Sequence, residues 1–399
     1  MPDSWIDLGL MSGSPPEPDK VVDQANYDSA PNLRWAFLNM REVFPTARVA
    51  RGDRVSAMPR DDRDLATFAF TTAGRDWTLA EMMEETYVDG LMVVHEGAVV
   101  FEHYGAGMTP ETTHICQSVS KSLTATLAGV LWGQGRLDVR RTVPDYIGEL
   151  AGTCWDGCTI QHLLDMTAGV SFDESDYENT DSECSRGFRI LGWNPRLPDD
   201  PMPAEYIAAM SRHAEHGAEF EYRSILTDVL GWCIERATGE RLAEVFSREV
   251  WAPMGAAQDA DFLIGPGGFP LTDGGFCVTL QDLARFGLMY LQEGRIDGSQ
   301  VVPAAWVQRL RVSDPGLVAM YEAAEGSEAE PGAFYQDQWW IRDAEAGIYA
   351  GLGIHGQSVL IHNPSSTVVA CFSTWPRPTI DEYRALATAG LLALCESLA

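Results

Sequence analysis

Runs suited to β-strands stand near both ends of this chain, with helical patterns between them. LMVVHEGAVVFEHY, residues 91–104, holds two β-branched stretches around Glu96-Gly97, the pattern of a tight hairpin. GIHGQSVLIHNPSSTVVACFSTW, residues 353–375, holds two more around Asn363-Pro364-Ser365-Ser366. Strands this far apart in sequence share one sheet only if the chain folds back on itself. The pattern therefore predicts a mixed α/β (α+β) fold: an antiparallel sheet completed by the N- and C-terminal strands, flanked by helices, with a mostly α-helical region inserted.

The intervening periodicity is helical. From Ser118 to Trp132, apolar residues fall at 119, 123, 127, 130 and 131, and Gly133 and Gly135 then stop the pattern. TIQHLLDM, AEYIAAMSRH, ILTDVLGWCIERATG and RLAEVFSREVWAPMG read as further helices, and TLQDLARFGLMYLQEG begins with Thr279 and Asp282, a plausible helix start. A last helix is expected from about Thr379. The expected organisation is a Pro- and Asp-rich extended arm over 1–60, an α/β sheet domain over 61–154 and 262–399, and an α-helical domain over 155–261. Glu322 to Glu330 is the one low-complexity stretch, read as an acidic loop.

The 399 residues carry 58 acids and 28 bases, a formal charge of −30. That charge repels nucleic acid and anionic membrane surfaces, so neither is expected as a partner. No apolar run is long enough for a membrane-spanning helix. The N-terminus lacks the basic and apolar regions of a signal peptide. The eight cysteines form no CxxC pair, and reduced thiols in a cytoplasm follow. Cys154 and Cys158 lack a second ligand pair at metal spacing, so no metal and no cofactor are expected. The expected partner is a small molecule, with homodimerisation left open.

Chemistry enters at HICQSVSKSL. The 28 basic residues include only two lysines, Lys20 and Lys121. Arginine stays protonated in proteins, whereas a partly buried lysine can move a proton near neutral pH. Ser118 lies one helical turn before Lys121, at a helix start whose free N–H groups stabilise developing negative charge. A hydroxyl, an amine and an anion-stabilising terminus are the parts of a serine nucleophile; codon bias is the bland explanation of the scarcity of lysine. In FEYRSILTDVLGW, Tyr222 and Ser224 stand at a helix entrance. A tyrosine beside an ammonium has a stabilised phenolate and can act as a base, and a core tyrosine with a serine cap is the alternative. GLGIHGQ spells G-x-G-x-x-G, but a strand follows it and too little chain remains for a dinucleotide unit. Its glycines instead allow close backbone approach, so an N–H there can serve as an oxyanion donor.

These elements, in this order, resemble the serine β-lactamase and penicillin-binding superfamily, in its class C-like branch of esterases and amidases. VSKSLTATLAGVLWGQGRLDV, TIQHLLDMTAGV and GGFCVTLQDLARFGLMYL extend the likeness, and LRWAFLNMREVFPTARVAR and STWP point to that branch's hydrolases of linear amides. The resemblance implies a β-lactamase/transpeptidase-like fold, with Ser118 as nucleophile, Lys121 as its partner, Tyr222 as general base and the N–H of Ile354 as second oxyanion donor. It places Gly351-Leu352-Gly353 where relatives carry Lys-Thr-Gly. It implies a substrate-binding set of Tyr177, Trp193, Asp273, Trp340, Gly353 and His355, Tyr177 contacting the scissile amide and the tryptophans forming walls. Two departures stand out. Phe188 falls near a position where relatives have a carboxylate, and Asp273 falls where they have Asn or His. The expected function is a serine hydrolase acting through an acyl-enzyme on small esters or linear amides. The alternatives are β-lactam or D-amino-acid peptide hydrolysis on the same scaffold, or a non-catalytic ligand binder.

Overall fold

The computed structural model describes residues 4–177, 179, 181–326 and 330–399. Its centre is a seven-stranded antiparallel sheet in the order 334–336, 339–343, 348–353, 357–362, 367–373, 88–95, 98–104. The strands from the two ends of the chain meet at its middle, where Val88–His95 pairs with Thr367–Ser373. Glu96 and Gly97 turn the predicted hairpin, both with positive φ (50° and 82°), the backbone that a twisted two-residue hairpin demands. Asn363–Ser366 makes the second connection, ending in Ser366 at φ 50°.

Every residue of Val88–His95 is buried, because helices cover both faces. Successive side chains point to opposite sides. Met92 and Val94, with Val368 and Ala370, join the core beneath the helices Val119–Gly133 and Leu280–Leu291. Leu91 and Val93, with Val369 and Cys371, join a second core beneath the C-terminal helix Asp381–Ser397. That arrangement explains why these strands read as continuous apolar runs. The predicted start at Thr279 holds: its Oγ1 accepts from the Asp282 N–H at 3.2 Å.

Three expectations need correction. The stretch expected as an extended arm is built into the body. Thr46–Val49 is a strand of a second, four-stranded sheet in the order 46–49, 260–263, 276–279, 113–115, while Leu33, Trp35, Phe37 and Phe44 are core residues. The Arg34 guanidinium, 3.4 Å from the buried Asp89 carboxylate, ties this segment to the main sheet. Second, the region expected to be helical ends in the strand Ala260–Leu263. Third, the helix Pro315–Glu325 runs into the stretch expected as an acidic loop, of which residues 327–329 lie outside the described residues. All eight cysteines carry free thiols. No helix among the described residues is long and apolar enough to cross a membrane.

Gly287 lets the Leu280–Leu291 helix lie against the sheet, since a Cβ there would sit 2.4 Å from Val368 Cγ1 and 3.0 Å from Val359 Cγ2. Alanine at this position would gain about 1 kcal/mol of helix propensity. Overpacking costs about 1–3 kcal/mol, and β-branched neighbours in a central strand yield little. Gly287→Ala is therefore expected to lower the urea midpoint of unfolding without changing the slope of the transition.

Candidate active site

Ser118 stands at the junction of the second sheet and the buried Val119–Gly133 helix. The preceding residue, Gln117, holds φ at 45°, a left-handed turn rare for a side-chain-bearing residue. It redirects the chain from the strand Thr113–Ile115 into the helix. Ser118 is thereby half-buried, facing a cavity of about 490 Å³. No carbonyl among the described residues takes its N–H.

One turn on, Lys121 is 1% exposed. Its Nζ donates to Ser118 Oγ at 3.0 Å and to the Asp273 carbonyl at 2.6 Å. The ammonium also lies 5.2 Å from the centre of the Tyr222 ring, and the Tyr222 phenol faces both Lys121 and Ser118. Burial is the largest influence on Lys121 and disfavours its charge. Tyr222, Asp273 and Glu174 together outweigh it, so the ammonium loses its proton above the ordinary lysine range. For Tyr222 burial also dominates, raising the phenol above its usual value. Lys121 pulls the other way and Glu174 adds to the rise. This corrects the expectation of a standing phenolate: the resting pair is an ammonium beside a neutral phenol.

Tyr222 sits just before the Ile225–Thr238 helix, stacked on Trp340 with ring centres 5.4 Å apart and edge-on to Tyr335. Trp340 thus backs the phenol and is not among the residues lining the cavity. On the opposite side of Ser118 the strand Ile348–Gly353 ends. A Cβ on Gly353 would come within 2.9 Å of both Ser118 N and Cys116 O, so only glycine permits this approach. It brings Ile354, which lines the cavity, next to Ser118. Ser118 and Ile354 thus share one side of the cavity.

The remaining expected residues are distributed as follows. Tyr177, Trp193, Asp273 and His355 all line the cavity. Trp193 Nε1 donates to Asp273 Oδ1 at 3.3 Å, and burial raises this carboxyl to about 6 while Lys121 opposes the rise. His355 is 1% exposed, edge-on to Phe37, with Nδ1 2.7 Å from the Trp375 carbonyl. Burial lowers it to about 4, so its imidazole is neutral. Phe188 stacks on Tyr177 at 6.2 Å and lines the cavity where relatives were expected to have a carboxylate.

Two buried acids escaped the sequence reading. Asp228 Oδ1 accepts from the Thr272 and Asp273 N–H groups at 2.9 and 3.0 Å, fixing the loop whose carbonyl holds Lys121. Glu174 takes hydrogen bonds from Ser224 and Tyr177. Neither had a local signal, since both are ordinary acids in an acid-rich chain. Among the described residues, His213, Glu219 and Glu221 converge closely enough to suggest a cation site. The Arg223 guanidinium already pairs with both acids, so the cationic place is filled.

A buried lysine bonded to a serine hydroxyl at a helix start, on this sheet, is the apparatus of a serine hydrolase that works through an acyl-enzyme. The family model described as Beta-lactamase matches residues 76–393, and the chain belongs to that family. It is 35% identical over 380 residues to the 6-aminohexanoate-dimer hydrolase of Paenarthrobacter ureafaciens, covering 94% of this chain and 93% of that one. A solved Bacillus anthracis structure, provisionally assigned as a 6-aminohexanoate-dimer hydrolase, superposes with a TM-score of 0.86 at 26% identity, covering 96% and 99% of the two chains. A family VIII carboxylesterase, at 16% identity and TM-score 0.58 over 79% of this chain and 95% of that one, shares the fold.

Because Gly353 alone admits the strand to the Ser118 N–H, Gly353→Ala should displace Ile354. The expected result is a fall of about 10²-fold in turnover of an activated ester, with a folded protein by circular dichroism.

Proposed function

We propose that this protein hydrolyses small esters and linear amides, with Ser118 as the nucleophile. The reading rests on one observation: Lys121 Nζ, buried, donates to Ser118 Oγ while Tyr222 faces both. The competent form has lost one proton from the resting Lys121–Tyr222 pair. Tyr222, as phenolate, takes the Ser118 hydroxyl proton as Oγ bonds to the substrate carbonyl carbon. The N–H groups of Ser118 and Ile354 hold the oxyanion. Tyr222 returns the proton to the leaving alkoxide or amine as the C–O or C–N bond breaks. Water then attacks the acyl-enzyme along the same proton path, freeing the acid and restoring the serine.

For the substrate, the relationship to a 6-aminohexanoate-dimer hydrolase supports a linear amide of that kind. Tyr177, at the cavity wall with its hydroxyl fixed by Glu174, is placed to contact an amide nitrogen. Charge narrows the choice further. Arg189 lines the cavity but is already bonded through two nitrogens to Asp200 at 3.0 and 3.1 Å. Asp28 and Asp273 are the other charged residues of the lining. An acyl chain with a neutral or cationic end suits this wall, and a β-lactam carboxylate finds no free cation among the described lining residues. Trp193 and Phe188 supply its apolar sides. The unbridged thiols support a cytoplasmic setting.

The test is intact mass within seconds of mixing the protein with an activated short-chain ester. An acyl adduct is expected on the wild type and none on Ser118→Ala; equal labelling of both removes Ser118 from the mechanism. Tyr222→Phe should slow acylation by about 10²–10⁴-fold. The direction of both shifts fixes the pH dependence. Since Lys121 and Tyr222 hold their protons above their ordinary ranges, the Ser118-dependent rate should climb about tenfold per pH unit from neutrality into the alkaline range. A rate already flat at neutral pH would show a pair that rests deprotonated.

A further inference from the structure

Glu174 is a carboxylate buried to 8% exposure within the cluster that holds the reacting groups, and no step of the mechanism uses it. Its Oε1 accepts from the Tyr177 hydroxyl and the Ser224 hydroxyl, each at 2.5 Å, and its Oε2 accepts from the Ser224 N–H. Ser224 is two residues from Tyr222 and opens the Ile225–Thr238 helix. Tyr177 lines the cavity. One carboxylate therefore clamps the cavity-wall phenol to the backbone turn that carries the proposed base. A neutral amide could not do the same, because all three partners are donors and an amide offers one acceptor oxygen.

We infer that Glu174 is a positioning residue of the acyl-transfer site: it fixes Tyr177 and Ser224 around the reacting atoms and supplies a fixed negative charge beside the Lys121–Tyr222 pair. The inference rests on the proposed roles of Ser118, Lys121 and Tyr222. The negative charge favours the ammonium and opposes the phenolate, and it acts on both members in that sense. It thereby keeps the pair in its resting state, Lys121 charged and Tyr222 neutral, until substrate enters. Other groups share this environment. Tyr177 comes from the same loop as Glu174, Asp273 from the loop before the strand Phe276–Thr279, Asp228 from the Ile225–Thr238 helix behind it, and Tyr335 from the strand Phe334–Gln336. The Arg223 guanidinium adjoins Tyr222 in the chain but is bonded to Glu221 and the Ala168 carbonyl. Asp273, at about 6, has ionised before the alkaline change begins and so does not move with it.

The experiment titrates the Tyr222 phenolate by near-ultraviolet absorbance in the full chain, as the difference between each protein and its Tyr222→Phe counterpart. Acylation by p-nitrophenyl acetate is followed in parallel. In Glu174→Gln the phenolate midpoint is expected to fall by about one pH unit, the smaller end of the effect of a neighbouring charge. Acylation in the same variant should fall as Tyr177 and Ser224 lose their anchor. A part in folding alone lowers acylation and leaves the midpoint where it was, and an unmoved midpoint in a folded Glu174→Gln overturns the inference. If that variant does not fold, Ser224→Ala decides. It strips one donor from the carboxylate and leaves its charge less compensated, so the midpoint should rise, and an unmoved midpoint overturns the inference equally. Absence of an acyl adduct on wild-type Ser118 is a separate result, which removes the acyl-transfer reading and this inference with it.

Discussion

The site depends on keeping an ammonium out of water. Lys121 has almost no solvent contact, and an isolated charge so placed would be expelled or neutralised. It stays because the fold surrounds it with an acceptor carbonyl from Asp273, the Ser118 oxygen, the face of Tyr222 and nearby carboxylates. These partners come from four segments far apart in sequence. Assembling them requires the helix, the inserted region and the sheet to be in register together. Burial and protonation are therefore coupled at one atom: whatever loosens the packing of these segments also changes the protonation of Lys121.

Much of this was legible in the sequence, and the reasons are local. The hairpin at Glu96-Gly97, the connection at Asn363–Ser366 and the helix after Ser118 each carry their signal within a few residues. Lys121, one of two lysines in an arginine-rich chain, marked its own site. What escaped lacked a local signature. Thr46–Val49 is a strand because Ala260–Leu263 pairs with it, and no window around residue 46 contains that partner. The Pro- and Asp-rich composition of the first sixty residues also masked the apolar run LRWAF, which the core absorbs. Glu174 and Asp228 are two of 58 acids, distinguishable only by burial. The charge state of Tyr222 was misread for the same reason: attraction to Lys121 could be foreseen, but the larger effect of burial could not.

The proposed reacting groups and the cavity walls are carried by different parts of the fold. Ser118, Lys121 and Tyr222 are carried at the starts of two buried helices, and Ile354 follows a strand of the main sheet. The cavity walls come from the loop holding Tyr177, the Glu183–Leu191 helix with Phe188 and Arg189, the turn after it that carries Trp193, and the stretch around Asp273. Backbone regularity holds the proposed reacting atoms in place, while the walls around Asp273 and Tyr177 stay tied to them through Lys121 and Glu174.

One wall comes from further off. Ala25, Tyr27, Asp28 and Ser29 line the same cavity, although the family match begins only at residue 76. Tyr27 is packed edge-on to Phe44, and Phe44 to Trp193, another lining residue, so this segment is anchored to the rim it completes. The family boundary is thus not the boundary of the binding site. A piece of this chain cut at residue 76 would lose one side of the cavity together with the core residues Leu33, Trp35, Phe37 and Phe44 and the strand Thr46–Val49. Exchanging only the lining residues Ala25, Asp28 and Ser29 is then a way to change which substrates fit, because it alters a wall and leaves that core packing in place.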